Sequence, residues 1–212
     1  MAIDDLLDEH EQGERVRGWL RENGSGVLTG ILLGLALILG WQWWMQQRAH
    51  QRVQAGDDYQ AAVEALQSGK ADVARARIAA LPNGSAYAVL GAMALAKSQA
   101  EAGKRDDAIA TLRALEVDDA ALAGVVRQRL GQLLVDAGKP KDAVALLAGA
   151  KDAPLAAAIR GDAYVAMGQL AEARTAYNQA LSSLPVGSPV RSIVELKLIN
   201  AGGTPANAEA RS

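Results

Sequence analysis

A glycine followed five positions later by an alanine recurs along this chain: Gly69 with Ala74, Gly103 with Ala108, Gly138 with Ala143, and Gly168 with Ala173. The glycines lie 34, 35 and 30 residues apart. A near-constant period of this length marks stacked helix–turn–helix units. The reason is local. Glycine ends one helix, because a left-handed turn is cheap only without a Cβ. The alanine sits on the next helix, where the two must approach closely. Half of the 212 residues are apolar, but only 4% are aromatic and Phe is absent. The apolar share is mostly Ala and Leu, both strong helix formers, so an all-α fold is expected. A net charge of −2 provides no field for nucleic acid. The absence of cysteine excludes disulfides, thiolate metal sites and cysteine catalysis.

The unit from Arg160 to Pro185 is the clearest. Gly161, Tyr164, Gly168, Ala173, Tyr177, Ala180 and Pro185 stand at the offsets of the tetratricopeptide pattern. Gly161 and Ala173 are small where paired helices cross, Tyr164 and Tyr177 fill the space between layers, and Pro185 stops the second helix. The preceding unit fits with Leu130, Gly131, Leu134, Gly138, Ala143, Leu147 and Ala150. Around Gly103 the fit weakens, with Gln99 in an aromatic slot, and around Gly69 it is degenerate. Val190 to Asn200 reads as one more helix, with Ile193, Leu196 and Leu198 or Ile199 covering the end of the stack, since an end repeat otherwise exposes its apolar face. The segment 201–212 reads as a loose tail.

Ahead of the repeats, no residue between Glu22 and Arg48 is charged. As a helix, residues 24–44 run about 30 Å, the thickness of a bilayer's hydrocarbon core. A buried core helix is usually shorter and keeps a polar edge. A signal peptide has a basic start and small residues at its cleavage site, whereas here the start is acidic and Trp41, Trp43 and Trp44 stand there. Trp prefers the membrane–water interface, so the stretch reads as an uncleaved span. Arg15, Arg17 and Arg21 precede it against Arg48 and Arg52 just beyond, which favours by a narrow margin a cytoplasmic N-terminus. Gly26, Gly30 and Gly34 form one face on which a partner helix can approach. The organisation expected is therefore a cytoplasmic acidic tail (1–23), a signal-anchor helix (24–44), a juxtamembrane helix or linker (45–56, with Gly56 the one natural break), and a repeat domain with a capping helix (57–200).

No catalytic constellation appears. His10 and His50 flank the span and cannot share a metal. The acid pairs Asp57-Asp58, Asp106-Asp107 and Asp118-Asp119 read as helix-start residues favoured by the dipole. Lys70, Lys104 and Lys139 read as solvated turn residues. No enzyme, cofactor or metal is expected. A helical stack without chemistry usually binds polypeptide along its groove. By resemblance to tetratricopeptide arrays, that groove is lined by Met93, Lys97, Glu101, Gln128, Gln132, Asp136, Asp162 and Val165, though these also suit plain surface. Ile3, Leu6, Leu7 and His10 at helical spacing suit either a short docking helix or a solvated leader.

The arrangement resembles the YfgM-like ancillary subunits of the bacterial SecYEG translocon. The resemblance rests on Arg21 to Gly24 before the span, Gly40-Trp41 and Trp44 at its end, Tyr59 to Val63, the runs "RLGQLLVDAGKPKDAVALL" and "IRGDAYVAMGQLAEARTAY", and the closing "ELKLINAG". It implies anchoring in the inner membrane with a periplasmic repeat domain. The implied partners are SecYEG and a membrane-anchored periplasmic chaperone of the prolyl-isomerase class (PpiD-like), with exported unfolded chains passed onward. It also implies an alternative, a regulator whose cytosolic tail restrains an envelope-stress response regulator.

Overall fold

The structure, a computed structural model, describes residues 2–150 and 153–205, with side chains from Arg17 onward apart from Val27. The side chains of Ile3, Leu6, Leu7 and His10, and residues 206–212 of the expected tail, lie outside this description. Among the described residues all regular structure is helical. The chain divides into a unit up to Gln54 and a second unit from Ala55.

The first unit lies within helix α1 (Ala2–Gln67). Among the described residues its apolar side chains from Leu28 to Leu39 are exposed: Leu35 is 50% exposed and Leu37 76%. From Leu28 on, α1 is long and apolar enough to cross a bilayer, and its most apolar part is unburied. A helix apolar all round is stable only in protein interior or lipid, and the described residues put no protein interior around this one. Trp41 and Trp44 lie tilted at 44° with ring centres 5.3 Å apart, and the guanidinium of Arg48, the first charge beyond the uncharged stretch, lies 3.8 Å over Trp44.

The second unit is a row of helix pairs. The last turns of α1 meet α2 (Ala71–Ala79), where the Arg77 guanidinium binds Asp58 at 2.9 Å. Then come α3 (Ala86–Glu101) with α4 (Arg105–Arg113), α5 (Ala120–Asp136) with α6 (Pro140–Leu147), and α7 (Pro154–Ala166) with α8 (Leu170–Ser183), closed by α9 (Pro189–Asn200). Each pair turns at a glycine with positive φ, 71° at Gly69, 78° at Gly103, 72° at Gly138 and 75° at Gly168. The turn repeats its hydrogen bonds. At Gly103 the glycine N–H bonds Ala100 O and the next N–H, of Lys104, bonds Gln99 O, which satisfies carbonyls the helix end would otherwise orphan. The alanine five residues on (Ala74, Ala108, Ala143, Ala173) is fully buried each time.

Four expectations are corrected. Gly56 does not break α1. A lone glycine costs a helix only about 1 kcal/mol, and Tyr87 packs at Gly56 at ordinary contact distance, its hydroxyl 3.4 Å from where a Cβ would stand. Asp57 and Asp58 are therefore mid-helix, whereas Asp106 and Asp107 lie in the first turn of α4 as expected and Asp119 caps α5, accepting from Leu122 N at 2.8 Å. At the far end Val194 and Leu198 cover the stack, 2% and 0% exposed, while Ile193, Leu196 and Ile199 turn outward at 53–59%. Nor does the loose tail begin at residue 201. Gly202 and Gly203 repeat the turn seen between pairs, bonding Ile199 O and Leu198 O.

Candidate functional site

The first helices of successive pairs are neighbours, α3 beside α5 and α5 beside α7, and α9 continues the series against the last pair. Side chains one and two turns apart on α5, α7 and α9 therefore converge on one cleft of about 380 Å³. Its α5 wall is Val125, Gln128, Arg129 and Gln132; its α7 wall is Leu155, Ala158, Ile159 and Asp162; its α9 wall is Val190, Ile193, Val194 and Lys197. Val125, Leu155 and Ile193 stand 41–55% exposed in it.

Of the residues expected to line a groove, the structure brings Gln128, Gln132 and Asp162 together here. It does not bring the others. Met93 packs against the core built on Val89, Ile109, Val126 and Leu130. Lys97 and Glu101 face each other at 3.8 Å on the surface of α3. Asp136 accepts from the Gln132 amide at 3.0 Å, beyond the cleft lining, and Val165 is exposed outside it. The apolar walls and Arg129 were missed by sequence reasoning. The signal was present: Leu155 and Ile159 precede Asp162 by seven and three positions, so they share its helix face.

Asp162 is a framework residue as well as a wall residue. Its Oδ1 accepts from the Tyr177 hydroxyl at 2.8 Å and its Oδ2 from Lys197 Nζ at 2.6 Å. One carboxylate thus ties α7 to both α8 and α9. Burial first, and then the Asp162 carboxylate, push the Tyr177 phenol well above its ordinary value of 10.0. The ring itself lies against Gly161, where a Cβ would fall 2.3 Å from a Tyr177 carbon. Gly131 is placed likewise, 2.7 Å from Leu147 Cδ1 by the same construction. Tyr164 is partly buried beside the same core as Tyr177. Gln99, in its aromatic slot, is 7% exposed and accepts from the Thr111 hydroxyl at 2.8 Å. At the outer turns the Lys139 ammonium, 2.6 Å away, holds the Asp106 carboxyl below its usual 3.8.

For Gly26, Gly30 and Gly34 on α1, no described atom outside their own stretch of helix lies within 4 Å of where a side chain would stand. Among the described residues no group of three His, Cys, Asp or Glu is placed to hold a metal ion.

The repeated glycine turn, the buried alanine after it and the neighbouring first helices describe one architecture, and a family model for the tetratricopeptide repeat-like domain matches residues 17–203. The chain belongs to that family. It is similar to the ancillary SecYEG translocon subunit of Escherichia coli K12, 27% identical over 199 residues that cover 91% of this chain and 96% of that protein. It is also similar to the subunit of the same name from Haemophilus influenzae, 27% identical over 203 residues, 92% and 98% of the two chains. Among solved structures it resembles a putative kinesin light chain of Podospora anserina with nearly identical tetratricopeptide-like repeats. That match has a TM-score of 0.51 at 18% identity and covers 71% of this chain and 85% of the other. It speaks for the fold alone.

Proposed function

We propose that this chain is a non-enzymatic, membrane-anchored accessory subunit of the SecYEG translocon. Residues 24–44 cross the inner membrane of a Gram-negative cell with the N-terminus in the cytoplasm. Residues 45–56 lead into a periplasmic repeat domain that binds partner proteins, a prolyl-isomerase-type chaperone anchored in the same membrane among them, and helps pass exported chains onward. The observation that carries this reading is the likeness to ancillary translocon subunits, which covers nearly the whole of both chains, span included. The uncovered apolar sides of α1 supply a physical reason for the anchor, and the cleft supplies a surface for a polypeptide.

The test is extraction of the full-length protein from native membranes in mild detergent, with co-purifying proteins identified by mass spectrometry. SecYEG subunits and a prolyl-isomerase chaperone are expected. Recovery of the intact, membrane-bound protein with neither would sink the reading. A reporter fused after residue 200 tests the orientation separately, and activity of a cytoplasm-only reporter would reverse it.

A further inference from the structure

We infer that the outward face of α9 docks a second copy of this chain, the two α9 helices lying antiparallel with Leu196 at the two-fold axis. Its central residues, Leu196 and Ile199, are not among the walls of the cleft. Three observations carry this. The first is a reversal of the usual surface pattern. The helix that closes a repeat stack ordinarily turns polar residues to water. On α9 every exposed residue is uncharged, and the three charged residues are the half-buried ones. Ile193, Leu196 and Ile199 face outward at 53–59% exposure. Residues three apart are neighbours on a helix, so these three form one continuous strip. Contiguous exposed apolar side chains mark an interaction surface.

The second is where the charges went. Arg191 is held by Glu195 at 2.9 Å and by the carbonyls of Leu181 and Leu184. Lys197 is held by Asp162 at 2.6 Å. Each charge beside the strip is thus neutralised inside its own chain, and two identical faces meet without unpaired like charges.

The third selects the occupant: the face is its own complement. When two copies of one helix lie antiparallel, residues equally far from the axis come level with each other. With Leu196 on the axis, Leu196 meets Leu196 of the second copy. Ile193 comes level with the other copy's Ile199, and Ser192 with its Asn200. Apolar meets apolar throughout, and the one polar pair can share a hydrogen bond between hydroxyl and amide. No other register about a residue of this strip matches every pair in this way. The strip runs along a helix of 12 residues, about 18 Å. Such a contact belongs to the small, reversible class of interface.

The experiment is disulfide crosslinking of the full-length protein in native membranes under mild oxidation. The chain has no cysteine of its own, so each introduced thiol reports one position. Helices in contact stand 8–10 Å apart, axis to axis, which brings two residues on the axis within disulfide reach. Leu196→Cys is expected to give a dimer of this chain, and Asn178→Cys, exposed on α8, little or none. Ser192→Cys and Asn200→Cys are expected to crosslink when the two variants are co-expressed, and neither by itself. In detergent, Leu196→Asp should weaken the dimer roughly tenfold or more by sedimentation, because it opposes two like charges, with circular dichroism showing it folded. Leu196→Cys that crosslinks no better than Asn178→Cys overturns the inference. So does its crosslinking to a protein of different mass, which assigns the face to another partner. Self-crosslinking of Ser192→Cys and of Asn200→Cys, each by itself, overturns the antiparallel register. Unchanged sedimentation of Leu196→Asp removes the face from any dimer.

Discussion

At Gly161 the chain has no room for a methyl group. Its Cβ would meet three atoms of the Tyr177 ring at 2.3–2.8 Å. That ring is 2% exposed and pinned at its hydroxyl by Asp162. Gly161→Ala is therefore expected to cost about 2–3 kcal/mol, the upper range for overpacking. Gly131→Ala should cost less, because the Leu147 side chain it meets can change rotamer. Urea unfolding of the two variants side by side checks the order. Tyr177 makes a second prediction. Its folded pKa is raised, so the neutral phenol's contribution is complete below pH 10 and is lost as pH rises above it, where the unfolded chain releases the proton first. Tyr177→Phe should lower stability at pH 7 by about 1 kcal/mol, the net worth of a hydrogen bond. The parent should then lose stability above pH 10 more steeply than the variant. Equal slopes in thermal melts across that range would show that the phenol's environment is not what the geometry implies.

The unit that repeats at the scale of elements is a turn. At Gly69, Gly103, Gly138 and Gly168 the same two backbone bonds close the first helix of a pair, and the next helix starts within two residues. No other described residue type adopts positive φ. Gly138→Ala should cost about 1–2 kcal/mol, the penalty of placing a Cβ in the left-handed region, although nothing stands within 4 Å of the added methyl. Gly124→Ala, inside α5 with similarly open space, should instead be neutral or stabilising. Thermal melts of this pair separate backbone strain from crowding. The repeat turns were legible because one residue type and one spacing produce them. The last helix was legible as a helix, and of its expected covering residues Leu198 alone is buried. Val194 and Leu198 became its buried face because the docking angle of α9 on α8 selects among apolar residues that point in every direction around it.

For the molecule as a whole, the side of α1 that bears Gly26, Gly30 and Gly34 is the surface we propose for association in the membrane. Gly26, Gly30 and Gly34 leave one side of α1 flat, and small residues at this spacing let two helices approach in lipid. Gly30→Leu should weaken recovery of translocon subunits, by roughly 1 kcal/mol of helix association, and leave the protein in the membrane fraction. Unchanged recovery would remove the glycine face from the interface. Helical class, repeat period, turn glycines and the uncharged stretch could all be read in advance, because each follows from the chain's local chemistry: a Cβ that a left-handed turn forbids, a period that sets which side chains stack, a run of residues that water does not solvate. The cleft could be read only in part. Gln128, Gln132 and Asp162 follow from helical phase, but their meeting with Val190, Ile193 and Lys197 depends on how α9 packs against the last pair. That packing is set by the fit of side chains distant in sequence, to which periodicity along one helix is blind.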